Sequence, residues 1–227
     1  MKKALLIMAK RPFPGRTKTR LTPYFSKEAA ASLYECFLQD MLNIVRSVPN
    51  ITPFIAYAPN DAETVAYFCE MAPDFERMPQ LGATLGERLD TVLSSSLQNG
   101  FDQVAAINSD SPTLPANYLA DAFTRLDDPE TDVVFGPCED GGYYLIGWKR
   151  PYPHLVRDVQ MSTTHVLQDS LAIAATDNLR VSLLPSWYDV DEISEIERLR
   201  LGLFAGKEFA PHTYRFLMRY TDGGEYG

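Results

Sequence analysis

The chain has few of the residues that build disulfide-linked or zinc-binding proteins. It contains three cysteines, Cys36, Cys69 and Cys138, and three histidines among 227 residues. The cysteines are odd in number, far apart and without a CxxC pair, so the sequence predicts neither a disulfide framework nor a zinc site. The histidines form no cluster in the sequence, and no nucleophile pairs with any of them.

Long apolar runs are also missing. No run reaches the roughly 20 residues that a membrane-spanning helix needs. The first apolar run, residues 4–9, follows Lys2 and Lys3 and ends at Lys10, which is too short for the apolar region of a signal peptide. We therefore expect a cytoplasmic protein without a membrane span.

Acidic residues are absent from the first 27 positions, although the whole chain has a net charge of −9. All 30 acidic residues lie beyond position 27, whereas eight of the 21 lysines and arginines lie within the first 27 positions. The overall acidity argues against nucleic acid as a partner, which would favour a basic surface. An apolar content of 45% is typical of a globular protein. The length predicts one domain, residues 1–220, with a disordered tail at 221–227.

The most distinctive segment is the basic loop, residues 10–20, with the sequence KRPFPGRTKTR. It holds five cations, two prolines, one glycine and no acid, directly after the first apolar run. Lysine and arginine match the charge of phosphate, and arginine also matches its geometry, so the basic loop predicts a phosphate site. The alternative is a solvated surface loop. The GxxxxGK[ST] pattern is absent, which argues against a Walker-type nucleotidase.

Apolar runs alternate with helix-period segments along the chain. Strands are predicted at 4–9, 51–57, 75–78, 102–107, 131–135, 143–148 and 180–184, and helices at 27–46, 61–70, 85–99, 115–127, 163–176 and 192–203. Capping boxes are predicted at Asn60 and Thr84, and a helix N-cap at Ser162. The alternation predicts an α/β fold, with a mostly parallel mixed sheet covered by helices on both faces. Ligands of such sheets bind beyond the carboxyl ends of the strands.

Three acidic segments follow predicted strands. Asp110, in Asn-Ser-Asp-Ser-Pro, is either a divalent-metal ligand or the centre of an Asx-turn. Asp140 precedes a glycine pair and could bind metal, act as a base or form a tight hairpin turn. Asp189 is a ligand candidate, while Asp191 could instead cap the helix predicted near 193. Carboxylates of this kind are the ligands that Mg²⁺ and Mn²⁺ prefer.

Together these segments resemble the small bacterial GT-A-like transferases described as selenodomain/radical-SAM-associated transferase 1, long grouped as a domain of unknown function. The resemblance spans roughly residues 4 to 200. It rests on the order of six motifs: MAKRPFPGRTKTRL at 8–21, QLGATLGERL at 80–89, NSDSPTL at 108–114, GPCEDGGYYLIG at 136–147, MSTTHVL at 161–167 and WYDVD at 187–191. Relatives by fold are nucleotide-diphospho-sugar transferases and nucleotidyltransferases, so the resemblance implies a single Rossmann-like GT-A domain.

The resemblance also implies a set of site residues. The nucleotide-binding candidates are Lys10, Arg11, Gly15, Arg16, Lys18, Arg20, Gln80 and Gly82. The metal candidates are Asp110 with Asp189 or Asp191, binding Mg²⁺ or Mn²⁺. Asp110 and Asp140 are the catalytic candidates, with Asp140 facing the acceptor.

These assignments predict a metal-dependent transferase with a nucleotide or nucleotide-sugar donor and a small-molecule acceptor. The first hypothesis is a nucleotide-sugar glycosyltransferase. The alternatives are a nucleotidyltransferase that releases pyrophosphate and a non-catalytic nucleotide-binding protein. The apolar residues near Tyr214 and Tyr220 predict a terminal helix that packs on the domain or on a second copy in a homodimer.

Overall fold

The computed structural model describes residues 1–221, in which seven strands form one sheet. The spatial order of the strands is β3-β2-β1-β4-β6-β5-β7. Each strand overlaps a predicted one, with ends shifted by two residues or fewer. The strands are β1 (Lys3–Lys10), β2 (Thr52–Ala58), β3 (Glu76–Pro79), β4 (Gln103–Ile107), β5 (Val133–Pro137), β6 (Tyr143–Trp148) and β7 (Val181–Leu183). Residues 222–227 of the predicted tail lie outside the described residues.

The sheet is mostly parallel, as predicted. Strand β1 pairs in parallel with both β2 and β4, β2 with β3, and β5 with β7. Strand β6 runs antiparallel to both β4 and β5. A tight hairpin at residues 138–142 reverses the chain between β5 and β6, where the Gly141 N–H donates to the carbonyl of Cys138 at 3.2 Å. The hairpin alternative for the Asp140 segment is therefore present.

Helices cover both faces because successive side chains of a buried strand point to opposite sides. Leu5 and Ile7 of β1 belong to one core, and Ala4 and Leu6 belong to the other. The helices are α1 (Lys27–Arg46), α2 (Ala62–Met71), α3 (Leu85–Gln98), α4 (Ala116–Asp127), α5 (His154–Arg157), α6 (Val166–Thr176), α7 (Ile193–Phe204) and α8 (Pro211–Thr221). Helix α5 has no counterpart among the predictions. Within residues 1–221 no helix is long and apolar enough to cross a bilayer.

The helix caps confirm one prediction and correct two. The capping box of Thr84 and Glu87 at the start of α3 is present. The cap of α2 is Asp61, not Asn60: its carboxylate accepts the Thr64 N–H at 2.7 Å, and a negative charge there also suits the helix dipole. The predicted cap at Ser162 is wrong, because Ser162 has φ +64° and α6 begins only at Val166.

The terminal helix packs on the chain itself. Phe25, which precedes α1, lies 4.6 Å from the ring of Tyr220 and 6.4 Å from that of Phe216, measured between centroids. The backbone N–H groups of His212 and Thr213 donate to the buried carboxylate of Asp40 in α1, at 3.0 and 2.8 Å. The intramolecular alternative is thus observed, and a homodimer stays a prediction.

Candidate functional site

A cleft runs along the sheet edge where β1, β3, β4 and β5 end and β6 begins. We call its two parts the first lobe, of about 340 Å³, and the second lobe, of about 610 Å³. The lobes are continuous because both are lined by Lys10, Arg20, Asn108, Asp110 and Asp191. The cleft therefore lies where ligands of open α/β sheets bind.

Four cations of the basic loop line the first lobe: Lys10, Arg16, Lys18 and Arg20. The loop has its own internal structure, since the N–H groups of Arg16 and Thr17 both donate to the carbonyl of Phe13. The loop ends in a single 3₁₀ turn, Thr19–Leu21, whose Leu21 is fully buried. Clustered cations on an anchored loop can make charge-assisted hydrogen bonds to a polyanion.

Three predicted nucleotide-binding residues lie outside the lining of both lobes. The Arg11 guanidinium lies 2.7 Å from Glu63 Oε2 and stacks on the Phe13 ring at 4.3 Å. Gly15 has φ +74° and forms the turn inside the basic loop. Gly82 has φ +139° and lies against α3, where an added Cβ would come within 2.7 Å of the Glu87 side chain. Both glycines shape the backbone beside the cleft.

Gln80 lines the first lobe, but its amide nitrogen is used within the fold. Nε2 donates to the carbonyls of Ala9 at 3.0 Å and Ala56 at 2.7 Å, and the backbone N–H of Gln80 donates to Tyr57. These bonds tie the end of β3 to β1 and β2. In a ligand complex the amide oxygen, rather than the nitrogen, would be the group available for contact.

Lys18 makes the closest polar contacts in the cleft. Its backbone is left-handed, with φ +47°. Its ammonium donates to Asp191 Oδ1 at 2.8 Å and to the Val190 carbonyl at 2.7 Å, and it forms an ion pair with Asp110 Oδ1 at 2.5 Å. Burial by itself would lower the pKa of Lys18, but the two carboxylates outweigh it and raise this pKa above its ordinary value. A non-glycine residue held at positive φ is typical of a functional site.

Asp110 and Asp191 are brought together, as the metal hypothesis requires. The Val190 N–H donates to the Asp110 carbonyl at 2.9 Å, which joins residues 187–191 to the end of β4. Burial alone would raise the pKa of Asp191, but the Lys18 ammonium holds it below its ordinary value. Neither the Asx-turn considered for Asp110 nor the helix cap considered for Asp191 is observed. Glu192, not Asp191, caps α7, and the side chain at the turn before Pro112 that accepts a backbone N–H is Asn108, not Asp110.

Asp140 and Asp189 lie in the second lobe. Oδ1 of Asp140 accepts the Gly142 N–H at 2.8 Å, which orients the exposed carboxylate within the hairpin. Residues 187–189 lie beside this hairpin because two backbone hydrogen bonds join the segments. The Trp187 N–H donates to the Pro137 carbonyl, and the Glu139 N–H donates to the Trp187 carbonyl. Ligand atoms of Cys138, Asp140 and Asp189 lie within 4.8 Å of one another.

The charges of this cluster are incompletely balanced. Burial raises the pKa of Asp189 to about 7, and repulsion from Asp140, Asp191 and Asp110 adds to the shift. Burial likewise raises the pKa of the Cys138 thiol, so the sulfur stays protonated and the carboxylate oxygens are the ligands on offer. The carboxylates of Asp110, Asp140, Asp189 and Asp191 together form a donor set that fits Mg²⁺ or Mn²⁺.

The structure also shows one cleft residue that the sequence did not indicate and places one of the quoted motifs in the cleft. Tyr34 of α1 lines the first lobe, where its hydroxyl hydrogen-bonds Ser109 Oγ at 2.8 Å and accepts the Lys10 N–H at 3.2 Å. Its position in an apolar helix resembles that of a core residue, so no sequence signal marked it. Residues 161–164, which belong to the MSTTHVL motif, line the second lobe because α6 starts only at Val166.

Comparison with known proteins finds a family model that covers more than half of the chain. Residues 41–163 match the family model described as "Uncharacterized protein conserved in bacteria (DUF2064)". The crystal structure of a "putative nucleotide-diphospho-sugar transferase" from Desulfovibrio desulfuricans G20 is 30% identical, with a TM-score of 0.86, and the match covers 98% of this chain and 96% of that one. Comparison with curated proteins finds no significant match.

More distant structures share the fold. A cytidylyltransferase from Leptospira borgpetersenii is 13% identical with a TM-score of 0.55, and the match covers 100% of both chains. Glucosyl-3-phosphoglycerate synthase from Mycobacterium tuberculosis, in a complex with Mn²⁺, uridine diphosphate and glucosyl-3-phosphoglycerate, is 9% identical with a TM-score of 0.54; the match covers 86% of this chain and 75% of that one. These likenesses confirm the predicted nucleotide-diphospho-sugar transferase fold.

Proposed function

The chain belongs to the DUF2064 family, and we propose that this member is a metal-dependent transferase with a nucleoside-diphosphate-activated donor, specifically a nucleotide-sugar glycosyltransferase. The observation that carries the proposal is one continuous cleft with cations lining its first lobe and carboxylates lining its second. The 30% identity to the Desulfovibrio protein supports it. The narrower resemblance to the selenodomain-associated transferases is part of the proposal, as are a cytoplasmic location and a single domain at 1–220.

In this proposal the first lobe binds the donor diphosphate. Lys10, Arg16, Lys18 and Arg20 donate to phosphate oxygens and neutralise the negative charge that develops when the diphosphate leaves. Arg11 has no direct part, because its guanidinium is paired with Glu63 outside the cleft.

The second lobe holds the acceptor. The acceptor hydroxyl attacks the anomeric carbon of the donor, the bond to the diphosphate oxygen breaks, and the Asp140 carboxylate takes the hydroxyl proton. Hydrogen bonding to the Gly142 N–H orients Asp140 for this step. Asp110, Asp189 and Asp191 would hold Mg²⁺ or Mn²⁺, which supplies positive charge beside the leaving diphosphate.

A nucleotidyltransferase is the second candidate, and the likeness to a cytidylyltransferase over the whole chain favours it. An acceptor phosphate would then attack the α-phosphorus of a nucleoside triphosphate, and pyrophosphate would leave. The products distinguish the two reactions, since only the glycosyltransferase releases a nucleoside diphosphate.

A thermal-shift screen of nucleoside diphosphates, triphosphates and nucleotide sugars, with and without Mn²⁺, tests the proposal. A donor at about 100 times its Kd stabilises the fold by about 2.7 kcal/mol, which corresponds to a rise of about 5–10 °C in Tm. If no nucleotide shifts Tm in the presence of Mn²⁺, the nucleotide-site proposal is wrong.

A further inference from the structure

The ammonium of Lys18 occupies the place between two of the proposed metal ligands. It lies 2.5 Å from Asp110 Oδ1 and 2.8 Å from Asp191 Oδ1, and only 4% of the Lys18 side chain is exposed. The ammonium also donates hydrogen bonds to Asp191 Oδ1 and to the Val190 carbonyl, the latter at 2.7 Å. One buried monovalent cation thus satisfies the pair of carboxylates.

A divalent cation that binds Asp110 and Asp191 has to compete with this ammonium. Both cations are attracted to the same two carboxylates, and each charge-assisted contact that Lys18 gives up has a free-energy cost. Asp140 and Asp189 differ in this respect, because no ion pair within residues 1–221 joins an ammonium to either carboxylate. The donor set fits a metal, but its Asp110–Asp191 part is already occupied.

We propose that Lys18 is a resident counter-ion that suppresses divalent-metal binding at Asp110 and Asp191 in the free protein. The inference rests on the metal role of these aspartates in the proposed function. The same side chain lines the first lobe, so an anion bound there offers the ammonium an alternative partner. The free protein is therefore a weak metal binder, and removing the Lys18 charge makes it a stronger one.

Calorimetric titration with Mn²⁺ alone, without any nucleotide, tests this inference. In Lys18→Met the buried stem keeps its apolar packing while the charge is lost. We expect its Kd for Mn²⁺ to fall by about tenfold or more relative to the wild type, since a charge-assisted hydrogen bond no longer has to be broken. Lys10→Met is the matched control: it removes the same charge from an exposed residue of the same cleft, so its Kd changes by less than about threefold.

A second variant distinguishes the effect of the lost charge from misfolding of Lys18→Met. Lys18→Gln retains hydrogen-bond donors for the two aspartates without the charge, and we expect it to show the same gain in Mn²⁺ affinity. In both variants Mn²⁺ also raises Tm more than it does in the wild type. Equal affinity in the wild type and both variants, weaker binding in the variants, or no binding in any of them overturns the inference.

Failure of this inference is distinguishable from failure of the proposed function. A wild-type protein that nucleotides stabilise in the presence of Mn²⁺, with no gain of Mn²⁺ affinity in the Lys18 variants, overturns the counter-ion role alone. Absence of any nucleotide response in the wild type contradicts the proposed function instead.

Discussion

Gly141 joins the hairpin that carries Asp140 to the segment that lines the second lobe, so its replacement by alanine tests how the lobe is built. Gly141 has φ +91°, and a Cβ there would lie 1.9 Å from the Thr164 carbonyl oxygen. Its own carbonyl accepts the Leu167 N–H at 3.0 Å. The obstacle is backbone rather than a flexible side chain, so the segment before α6 has to move.

The chain offers a matched control in Gly100, which has φ +88° and no atom within 4 Å of an added Cβ. Gly100→Ala therefore carries only the conformational cost of a left-handed residue, about 1–2 kcal/mol. Gly141→Ala carries that cost plus overpacking of about 1–3 kcal/mol. We expect the loss of unfolding free energy to be about 2–5 kcal/mol for Gly141→Ala.

Urea denaturation followed by circular dichroism measures both losses, from the shift in midpoint at constant m-value. The conformational cost cancels in the difference between the two losses of unfolding free energy. That difference therefore measures the cost of the close contact between Gly141 and Thr164. Losses that agree within about 0.5 kcal/mol would refute the close approach of the two segments.

Other predictions concern the charges of the cleft. Asp110→Ala should abolish the Mn²⁺-dependent part of a nucleotide thermal shift while changing stability by about 1–2 kcal/mol; a retained shift would exclude Asp110 as a ligand. Arg20→Ala should weaken nucleotide binding about ten- to a hundredfold, and Arg11→Ala, the control from the same loop, less than about threefold, both measured by calorimetry; equal losses would contradict the different positions of the two arginines. Asp140→Asn should bind donor normally but turn over about 10²–10⁴-fold more slowly, and full activity would remove Asp140 as the base. Because the pKa of Asp189 is raised to about 7 in the folded protein, its contribution to stability is complete below about pH 4 and is lost as pH rises through 7. In EDTA, the Tm of the wild type should therefore fall between pH 5 and 8 more steeply than that of Asp189→Asn, and parallel profiles would contradict the shift.

Sequence patterns predicted the secondary structure well where residues close together in the chain determine it. The predicted range 27–46 coincides with α1, and the capping box at Thr84 needs only Glu87, three residues away. Prediction failed where a distant segment intervened. Residues 163–165 have helix-period neighbours, yet the hairpin around Gly141 holds the following Leu167 N–H, and α6 starts only at Val166.

The candidate site likewise has features that the sequence predicted and features that depend on distant contacts. The sequence predicted that the segments with Asp110, Asp140, Asp189 and Asp191 each follow a strand, at the carboxyl ends where ligands of such sheets bind. Charge alone did not distinguish Arg11 from Arg20, since both belong to the same cationic run. Their difference arises from Glu63, 52 residues beyond Arg11, which holds the Arg11 guanidinium outside the cleft.

The sequence by itself determined the alternation of strands and helices, the position of the basic loop and the supply of carboxylates, because each depends on residues close together in the chain. Only the tertiary structure decided which charges face each other. The Lys18 ammonium meets Asp191 across 173 positions, and Tyr34 meets Ser109 across 75. Such pairings depend on the order of the strands and the path of the loops, so they form only when the sheet has assembled. The strength of an ion pair also depends on its burial, which the assembled fold determines.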